Sequence, residues 1–490
     1  MKSTIIKILQ FVALGVLMYF PIFGFLDTMP MRIWDEARLA ISAYEMYYNH
    51  DYLITYFEGH PDLWSTKPPL LIWIQVIFMK LIGINELAVR LPSAFAAFFT
   101  CVILLVFSLK YVKNYWFGFI AVMVLITSQG YIAMHATRTG DYDSLLTFFT
   151  TASGLLFFTY CETKKNKHLY LFFLAVTLSV LTKGIAGLLF MPAIAIYCVI
   201  QKQFIPLIKN KHFYFGILSF LIPVIGYYVL RESINPGYFD AVQKNELGGR
   251  FRAVLDNHTH DYWFYYKNIV GYKLKVWFLL IPCGLAIGLA HKDKMMNKIA
   301  LYCALMSFTF LLVISDAHAK LEWYDVPVFP YLALLITVFI YFVFKFLENS
   351  KWIQESLQFN IAPYVFLMLI FIMPYNAIIE KTYKPQESTP GKKFYEIGYY
   401  LQDAVDGKHD LNGKHFLNFG YNAHNNFYLN ILNDRGVNVK VKDYEKLEKD
   451  DIVIYQHEHI VWYVATNYVY EELERIGNVY TCKIINRKAN

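Results

Sequence analysis

A series of long apolar segments constrains this chain more than any other feature of its sequence. A helix needs about 20 apolar residues to cross the hydrocarbon core of a bilayer, and segments near this length recur over the first 380 residues. With 57% hydrophobic and 17% charged residues, the composition excludes a disordered or an ordinary soluble chain. The sequence predicts a polytopic α-helical membrane protein with about eleven transmembrane helices, at 6–26, 89–110, 116–134, 143–161, 168–182, 184–200, 212–230, 275–290, 296–315, 326–347 and 361–379.

The lysines predict the orientation of these helices, because short Lys-rich loops stay in the cytoplasm. The apolar segment 68–84 either crosses the membrane or lies along its surface. If it lies along the surface, every lysine-dense short loop faces the cytoplasm; if it crosses, all of them face outward. We therefore expect a juxtamembrane helix at 68–84, a retained N-terminal anchor and cytoplasmic loops at 110–115, 162–168, 201–212, 291–298 and 345–351.

The chain divides into two predicted domains. Residues 1–380 form the transmembrane domain, with outer loops at 27–88 and 231–274. Residues 381–490 are more polar and are predicted to form a small soluble α/β domain on the non-cytoplasmic side. Its strand-like patterns are HFLNFGY, DDIVIYQ and VYTCKIINR, whereas YEELERIG is typical of a helix.

The charge and the cysteine content limit the kinds of binding partner that we expect. The net charge is +7, but the basic residues lie in clusters between apolar segments, which membrane topology explains without a nucleic-acid partner. The six cysteines form neither a disulfide framework nor a zinc-type spacing. We therefore expect the protein to contact membrane lipids and not nucleic acid.

The first outer loop offers candidates for acid-base chemistry. Asp35 and Glu36 directly follow the first anchor. Adjacent acids here either mark the start of a helix, where the helix dipole favours them, or provide a carboxylate that acts as a general base. Lys67 ends the loop before Pro68 and Pro69; it either extends to the interface or binds a lipid phosphate.

Two further outer segments carry charges at the mouth of the bundle. Arg138, Asp141 and Asp143 lie together between two predicted spans, where contact with lipid would be costly. They either pair with one another or face a cavity. Lys183, before Gly184, either caps a helix end or supports the same site.

The remaining candidates come from later outer loops. His258 and His260 are compatible with a metal, but their spacing is too common to be specific. Lys320 and Tyr324 are ordinary interface residues, or they form a cationic pocket for a phosphodiester together with Lys67 and Arg252.

Six segments in order, over about residues 30 to 335, resemble the GT-C superfamily of membrane glycosyltransferases. The resemblance is to its bacterial branch of dolichyl-phosphate-mannose-protein mannosyltransferase-like and aminoarabinose (lipid A) transferases. The segments are WDEARLA, KPPLLIWIQVIFMKLIGINELAVRLPSAFAA, RTGDYDSLLTFF, LTKGIAGLL, HTHDYWFYY and AKLEWYDVPVFPYLALL.

The resemblance implies a GT-C-like fold and a glycosyltransferase. Its donor would be a sugar linked to a polyprenyl phosphate such as undecaprenyl phosphate, used on the periplasmic face of the inner membrane. Asp35 maps onto the catalytic base, with Glu36 beside it, and Asp143, rather than Asp141, maps onto the second acid. Lys67 maps onto a ligand of the donor phosphate, which Tyr324, Lys320 and Arg252 would flank. The acceptor would be a lipid A-like glycolipid, a polysaccharide or a protein.

One departure bears on cofactors. Aminoarabinose transferases commonly have an acidic metal ligand immediately before the lysine, where this chain has Thr66. We therefore name no certain cofactor. A divalent metal is compatible with the family, but Thr66 in place of the acidic ligand argues against it. A polytopic transporter or flippase of lipid-linked sugars is the alternative function, although no matching halves are visible. An inactive relative that binds lipid-linked sugars is a third possibility.

Overall fold

The computed structural model of the protein describes residues 2–248, 259–350 and 360–488. It consists of a helical bundle followed by a small domain with a sheet. The helices are α1 (Lys2–Phe23), α2 (Asp35–Asn49), α3 (Leu70–Ile82), α4 (Glu86–Tyr111), α5 (Tyr115–Ile126), α6 (Tyr142–Thr163), α7 (Asn166–Lys183), α8 (Met191–Ile200), α9 (Phe204–Ile208), α10 (Lys211–Ile234), α11 (Tyr238–Val242), α12 (Phe264–Asn268), α13 (Leu280–Ala290), α14 (Lys294–Asp316), α15 (Phe329–Asn349), α16 (Ala362–Thr382), α17 (Thr389–Val405), α18 (Ala423–Asp434) and α19 (Glu458–Asn467).

The bundle confirms the prediction of a polytopic α-helical membrane protein. Among the described residues, eight helical segments are long and apolar enough to cross a membrane: Thr4–Phe23, Glu86–Tyr111, Tyr142–Thr163, Asn166–Leu188, Lys211–Ile234, Lys294–Asp316, Glu322–Asn349 and Ala362–Thr382. The other three predicted spans are present as the shorter helices α5, α8 and α13, of 12, 10 and 11 residues. The count of about eleven thus corresponds to eight long helices and three short ones.

Irregular backbone lies after α5 and before α8. The hydroxyls of Thr127 and Ser128 donate to the carbonyl oxygens of Met123 and Val124 at 2.6 Å, and α5 ends there. Gly184 has a φ of +56°, which ends α7 and leads into a 3-10 turn before α8. A helix of 12 residues is about 18 Å long, so irregular segments must complete these crossings of a core about 30 Å thick.

Contacts between helix ends give the direction of each helix. The hydroxyl of Tyr115, the first residue of α5, donates to the carbonyl oxygen of Gln10, in the first half of α1, at 2.6 Å. At the end of α16, the Lys381 ammonium donates to Gln129, just beyond α5, at 2.7 Å. The ring of Tyr383, after α16, packs against Phe25, after α1. Therefore α1, α5 and α16 run parallel and end on the same face of the bundle, which we call the loop face.

The other long helices of the bundle run alternately towards and away from the loop face. Lys183, at the end of α7, pairs with Asp143, at the start of α6, on the loop face. Lys298 and Glu162 join the start of α14 to the end of α6 on the opposite face. In the described part of the chain, α1, α4, α5, α6, α7, α8, α10, α13, α14, α15 and α16 alternate in direction in this way.

Helix α3 lies on the loop face without crossing the bundle. The Trp73 indole donates to the carbonyl oxygen of Tyr52 at 2.7 Å, and the Lys80 ammonium donates to the hydroxyl of the same tyrosine at 2.8 Å. Residues near both ends of α3 thus contact one residue of the first loop. These contacts favour the predicted juxtamembrane helix at 68–84, whose position relative to a membrane stays a prediction.

The loop face also carries two short strands and the C-terminal sheet. The strands β1 (Tyr56–Phe57) and β2 (His60–Pro61) form a small hairpin. The C-terminal sheet has the order β4-β3-β5-β7-β6, and β3 is parallel to β4 and β5 while the other pairs are antiparallel. Its strands are β3 (His415–Leu417), β4 (Lys440–Lys442), β5 (Ile452–Tyr455), β6 (Tyr468–Ile476) and β7 (Val479–Arg487). The small C-terminal domain with a sheet is confirmed.

One local prediction in this domain is wrong. The segment YEELERIG, predicted as helical, forms most of strand β6 and pairs with β7 from Ile476 opposite Val479 onward. Gly477, at a φ of +58°, and Asn478 make the two-residue turn that brings the strands together. Pairing with β7 thus overrides the helical preference of the glutamates.

The C-terminal domain shares a hydrophobic core with the first outer loop. One cluster of buried apolar side chains combines residues of α2, α3 and α4 with residues of α17 and α18; its members include Ala40, Met46, Leu71, Val89, Leu401, Phe427 and Ile431. Hydrogen bonds from Tyr44 and Tyr48 to Asp434, at 2.9 and 2.8 Å, connect the same elements. The first loop and this domain therefore form one layer above the bundle.

A buried ion pair fixes this layer to the bundle. The Glu36 carboxylate accepts hydrogen bonds from Arg90 of α4 at 2.7 and 3.0 Å, and from the backbone N–H groups of Arg32 and Gly140 at 2.8 and 2.9 Å. Burial raises the pKa of Glu36, but the charge and hydrogen bonds of Arg90 hold it below its usual value. Glu36 was predicted beside the base as a catalytic residue; in the structure it is fully buried and paired with Arg90, which favours the role of an anchor, and a catalytic role stays a prediction.

The anchor predicts different effects for two adjacent acids. Glu36→Gln leaves the buried Arg90 without its counter-charge, which costs about 3–5 kcal/mol, and we expect a clear drop in the melting temperature. Asp35→Asn changes an exposed side chain and is the matched control, expected within about 0.5 kcal/mol of the wild type. Thermal unfolding of the purified protein in detergent measures both. Equal melting temperatures would show that the pair is not an anchor.

The alternating directions of the helices predict from which side of the membrane each loop is accessible. The six native cysteines are buried or half-buried, so single cysteines introduced at exposed positions can report on access. We expect a membrane-impermeant maleimide to label Glu58→Cys and Asn412→Cys in intact cells, and Lys165→Cys and Lys292→Cys only after permeabilisation. Labelling of positions 165 and 412 from the same side would contradict the eleven-helix arrangement.

Candidate functional site

Asp35 lies at the start of α2, on a backbone that is held in an unusual conformation. Trp34, before it, has φ 74° and ψ −117°, a region that bulky residues rarely adopt. The Trp34 ring stacks on Tyr421 of the C-terminal domain, with centroids 4.8 Å apart. Asp35 is exposed, whereas its neighbour Glu36 is fully buried. The anchor therefore fixes the backbone and leaves the Asp35 carboxylate accessible.

Asp35 belongs to a cluster with His135 and Asp141. One ligand atom from each of the three side chains lies within 4.8 Å of the others. His135 has a φ of +58° and its ring stacks on Trp323 at 3.8 Å, which orients Nδ1 3.4 Å from an Asp141 oxygen. Burial lowers the pKa of His135, but nearby carboxylates, Asp141 above all, raise it to about 9 overall.

This cluster fits a divalent cation better than the histidines predicted from the sequence. An imidazole and two carboxylates are ligands that many divalent metals accept, and Asp141 Oδ1 is buried without a hydrogen-bond partner among the described residues. His260 is exposed and its ring stacks on Phe264; His258 lies outside the described residues. Sequence reasoning missed His135, although it lies only six residues before Asp141.

A second group of side chains forms a cleft beside this cluster. Its polar end is lined by Lys67, Asp143, Lys183, Glu246 and Tyr324. The rest of the lining is apolar and comprises Leu146, Ile185, Ala186, Leu189, Phe310, Ile314, Ala317 and Ala319. The cleft therefore has two lysines at one end of an apolar channel. Of the predicted site residues, the structure brings Lys67, Asp143, Lys183 and Tyr324 together here.

The ends of two helices position the centre of the cleft. Asp143 lies in the first turn of α6 and Lys183 is the last residue of α7. Their side chains form a buried ion pair, with Lys183 Nζ 2.6 Å from an Asp143 oxygen. The same ammonium lies 5.1 Å from the centre of the Tyr324 ring. Asp143 is thus held by a cation, in contrast to the exposed Asp35.

Glu246 supplies a carboxylate that sequence reasoning did not identify. It lies 3.5 Å from Lys67 Nζ and accepts a hydrogen bond from the Thr66 hydroxyl at 2.8 Å. Thr66 stands where aminoarabinose transferases commonly have an acidic residue. A carboxylate from a distant part of the chain therefore lies beside the position where the local one is missing. Because Glu246 lies 180 residues after Thr66, no local sequence pattern predicts this contact.

Two predicted site residues, Arg138 and Lys320, contact backbone carbonyl oxygens near helix ends, and their role in the site stays a prediction. Arg138 donates to the carbonyl oxygens of Gly24 and Pro21 at 2.6 and 3.2 Å, and thus caps the end of α1. Lys320 donates to the carbonyl oxygens of Ala317 and His260 at 2.6 and 3.2 Å. Neither lines the cleft. Arg252, also predicted at the donor phosphate, lies outside the described residues.

Sequence comparisons connect this arrangement to known proteins. Residues 66–228 match the family model of dolichyl-phosphate-mannose-protein mannosyltransferase. Two relatives are each named undecaprenyl phosphate-alpha-4-amino-4-deoxy-L-arabinose arabinosyl transferase. The one from Shewanella sediminis is 25% identical over 74% of this chain and 63% of its own length, and the one from Aeromonas hydrophila is 26% identical over 64% and 56%. The chain thus spans about three fifths of the length of the curated relatives it matches.

Solved structures share the fold. ArnT from Cupriavidus metallidurans bound to undecaprenyl phosphate has a TM-score of 0.73 at 13% identity, with 98% of both chains covered. The archaeal oligosaccharyltransferase AglB from Archaeoglobus fulgidus, in complex with an inhibitory peptide and a dolichol-phosphate, has a TM-score of 0.51 at 10% identity and covers 98% of this chain and 76% of its own. The resemblance predicted from the sequence is therefore confirmed at the level of the fold, which the chain shares with ArnT, and residues 66–228 match the mannosyltransferase family model.

Proposed function

We propose that the protein transfers a sugar from a polyprenyl-phosphate-linked donor to a cell-envelope acceptor. The observation that carries this proposal is the cleft, in which Lys67 and Lys183 lie at one end of an apolar channel. A polyprenyl phosphate has the matching chemistry, because it joins an anionic phosphate to a long hydrocarbon chain. The names of the relatives and the undecaprenyl phosphate bound to ArnT support the same donor class.

The two lysines would bind the donor phosphate from two sides. Lys67 is paired with Glu246 at 3.5 Å and Lys183 with Asp143 at 2.6 Å, so each cation is already oriented before the donor enters. A phosphate between them would gain charge-assisted hydrogen bonds in a largely buried setting. The prenyl chain would follow Leu146, Leu189 and the partly exposed Ile185 along the apolar part of the cleft.

Asp35 is the residue best placed to act as the base. Its carboxylate is exposed, while Asp143 is neutralised by Lys183. In the proposed reaction, Asp35 takes the proton of an acceptor hydroxyl as the acceptor oxygen bonds to the anomeric carbon. The bond from that carbon to the phosphate oxygen breaks, and Lys67 and Lys183 stabilise the leaving polyprenyl phosphate. A divalent cation, when held by Asp35, His135 and Asp141, would add positive charge beside the sugar.

The site would face the non-cytoplasmic side of the plasma membrane. The lysine-dense loops lie on the face opposite the loop face, and short Lys-rich loops stay inside. Residues 381–490 would then lie in the periplasm, above a membrane domain formed by 1–380. Acceptors compatible with this location are a lipid A-like glycolipid, a polysaccharide and a protein.

Replacement of the base should block transfer and leave the donor unused. We expect Asp35→Asn in the native host to accumulate a polyprenyl-phosphate monosaccharide, detected by mass spectrometry of lipid extracts. Asp27→Asn, an exposed acid of the same loop, is the matched control and should not accumulate it. An unchanged lipid profile with Asp35→Asn present at normal levels would remove Asp35 as the base and favour a transporter or a scaffold for lipid-linked sugars.

The lysines should determine donor affinity. Loss of one charged hydrogen bond to a phosphate is worth roughly 1.5–3 kcal/mol, so we expect Lys67→Gln to raise the KM for the donor by about 10- to 100-fold. Lys183→Arg, which keeps the charge, should have a smaller effect. Lys267→Gln changes an exposed lysine outside the cleft and should leave KM unchanged. A normal KM in Lys67→Gln would contradict the assignment of the phosphate position.

A further inference from the structure

The C-terminal domain contains a large cavity outside the cleft. It has a volume of about 660 Å³ and is lined by parts of α17, α18 and α19 and by the segment that follows β3. We propose that this cavity binds an uncharged saccharide. Its further identification as the glycan part of the acceptor rests on the proposed transferase function.

The cavity carries no uncompensated charge. Lys393 and Glu458, on its rim, form an ion pair with each other. His424 is buried, and both burial and the nearby Arg32 lower its pKa to about 4. Burial also lowers the pKa of His457 below its usual value. Both imidazoles are therefore neutral at pH 7, and an anionic headgroup would find no free cation among these lining residues.

Buried polar atoms in the lining lack hydrogen-bond partners. Among the described residues, no partner exists for Oδ1 of Asn425, Oδ1 of Asn418 or Nδ1 of His424. The exposed fraction is only 4% for Asn425 and 3% for His424. Buried polar atoms are normally satisfied, and the amide oxygens accept hydrogen bonds, as the neutral imidazole can at its unprotonated nitrogen. These atoms have almost no accessible surface as the side chains stand, so the hydroxyl donors of a ligand such as a sugar would reach them only after the amide or imidazole turns towards the cavity.

Aromatic side chains complete a surface suited to sugar rings. The exposed fractions of Trp462 and Phe419 are 61% and 39%, and both line the cavity. The Phe419 ring also packs on His457, with centroids 4.6 Å apart. Pyranose rings have apolar faces of C–H groups that pack on aromatic rings, while their hydroxyls reach polar atoms at the edge. Neutral amides beside exposed aromatic rings match this combination.

The position of the cavity connects it to the catalytic base. Ile33 and Tyr421 belong to its lining, and Tyr421 stacks on Trp34, the residue before Asp35. The Tyr421 hydroxyl also contacts the Trp34 carbonyl oxygen at 3.4 Å. A saccharide chain bound in the cavity could therefore extend past this aromatic pair to Asp35. This continuity favours the acceptor over an unrelated ligand.

The test uses the full-length protein in nanodiscs on an array of neutral and anionic oligosaccharides. We expect retention on neutral oligosaccharides and a loss of about tenfold or more with Trp462→Ala, which truncates an exposed side chain and should not disturb folding. Asn425→Leu should weaken retention as well. Trp263→Ala, at a similarly exposed tryptophan outside the cavity, is the matched control and should bind as the wild type does.

The outcomes separate the cavity from the transferase. No retention, retention on anionic oligosaccharides alone, or equal retention by Trp462→Ala would overturn the proposal. Asp35→Asn should bind the array normally, because the cavity does not include Asp35. If neutral oligosaccharides bind but Asp35→Asn accumulates no lipid-linked sugar, the saccharide site stands and its assignment to the acceptor is overturned.

Discussion

The geometry of the site depends on the buried ion pair between Glu36 and Arg90. All five N–H donors of the Arg90 guanidinium are used: two bind Glu36 and three bind the carbonyl oxygens of Leu26, Met29 and Pro30. Glu36 in turn holds the backbone N–H of Gly140. One pair therefore fixes the chain before Asp35 and the chain before Asp141 and Asp143. The acids come from distant parts of the sequence, and this pair sets their relative positions.

The two aspartates predicted for the site, Asp35 and Asp143, differ in their surroundings. Asp143 is buried against Lys183, whereas Asp35 is exposed beside His135. A buried carboxylate with a fixed counter-ion serves to orient a cation, and an accessible one is free to exchange a proton. The C-terminal domain contributes to this difference, because its shared core with α2 keeps Tyr421 stacked on Trp34, the residue before Asp35.

The sequence predicts where the helices of the bundle lie, but it predicts their lengths and some local conformations less well. Hydropathy locates all eleven predicted helical segments, because each must bury or expose apolar surface along its own length. It does not predict that α5, α8 and α13 are short, and of the irregular backbone beside them only the break at Gly184, with its positive φ, has a clear local signal. It also fails for YEELERIG, where pairing with β7 decides the conformation. Long-range contacts determine such cases, and no local pattern encodes them.

The same distinction applies to the site. The resemblance to a family identified Asp35, Lys67, Asp143 and Tyr324 from local motifs, and three of these line the cleft while Asp35 lies beside it. Glu246 was missed because it contacts Lys67 only when distant segments meet, and His135 was missed although it lies six residues before Asp141, since the group also needs Asp35 from the first loop. Arg138 and Lys320 were predicted for the site because they are charged and near the interface. Both donate to backbone carbonyl oxygens at helix ends, and their role in the site stays a prediction.

The central claim is that Lys67 and Lys183 bind the phosphate of a polyprenyl phosphate at the end of an apolar channel. A cryo-electron microscopy structure of the protein with added undecaprenyl phosphate tests this directly. We expect density for the phosphate within hydrogen-bond distance of both ammonium groups, with the prenyl chain along Leu146, Ile185 and Leu189. A phosphate bound elsewhere on the bundle, with Lys67 still paired to Glu246 and Lys183 to Asp143, would contradict it.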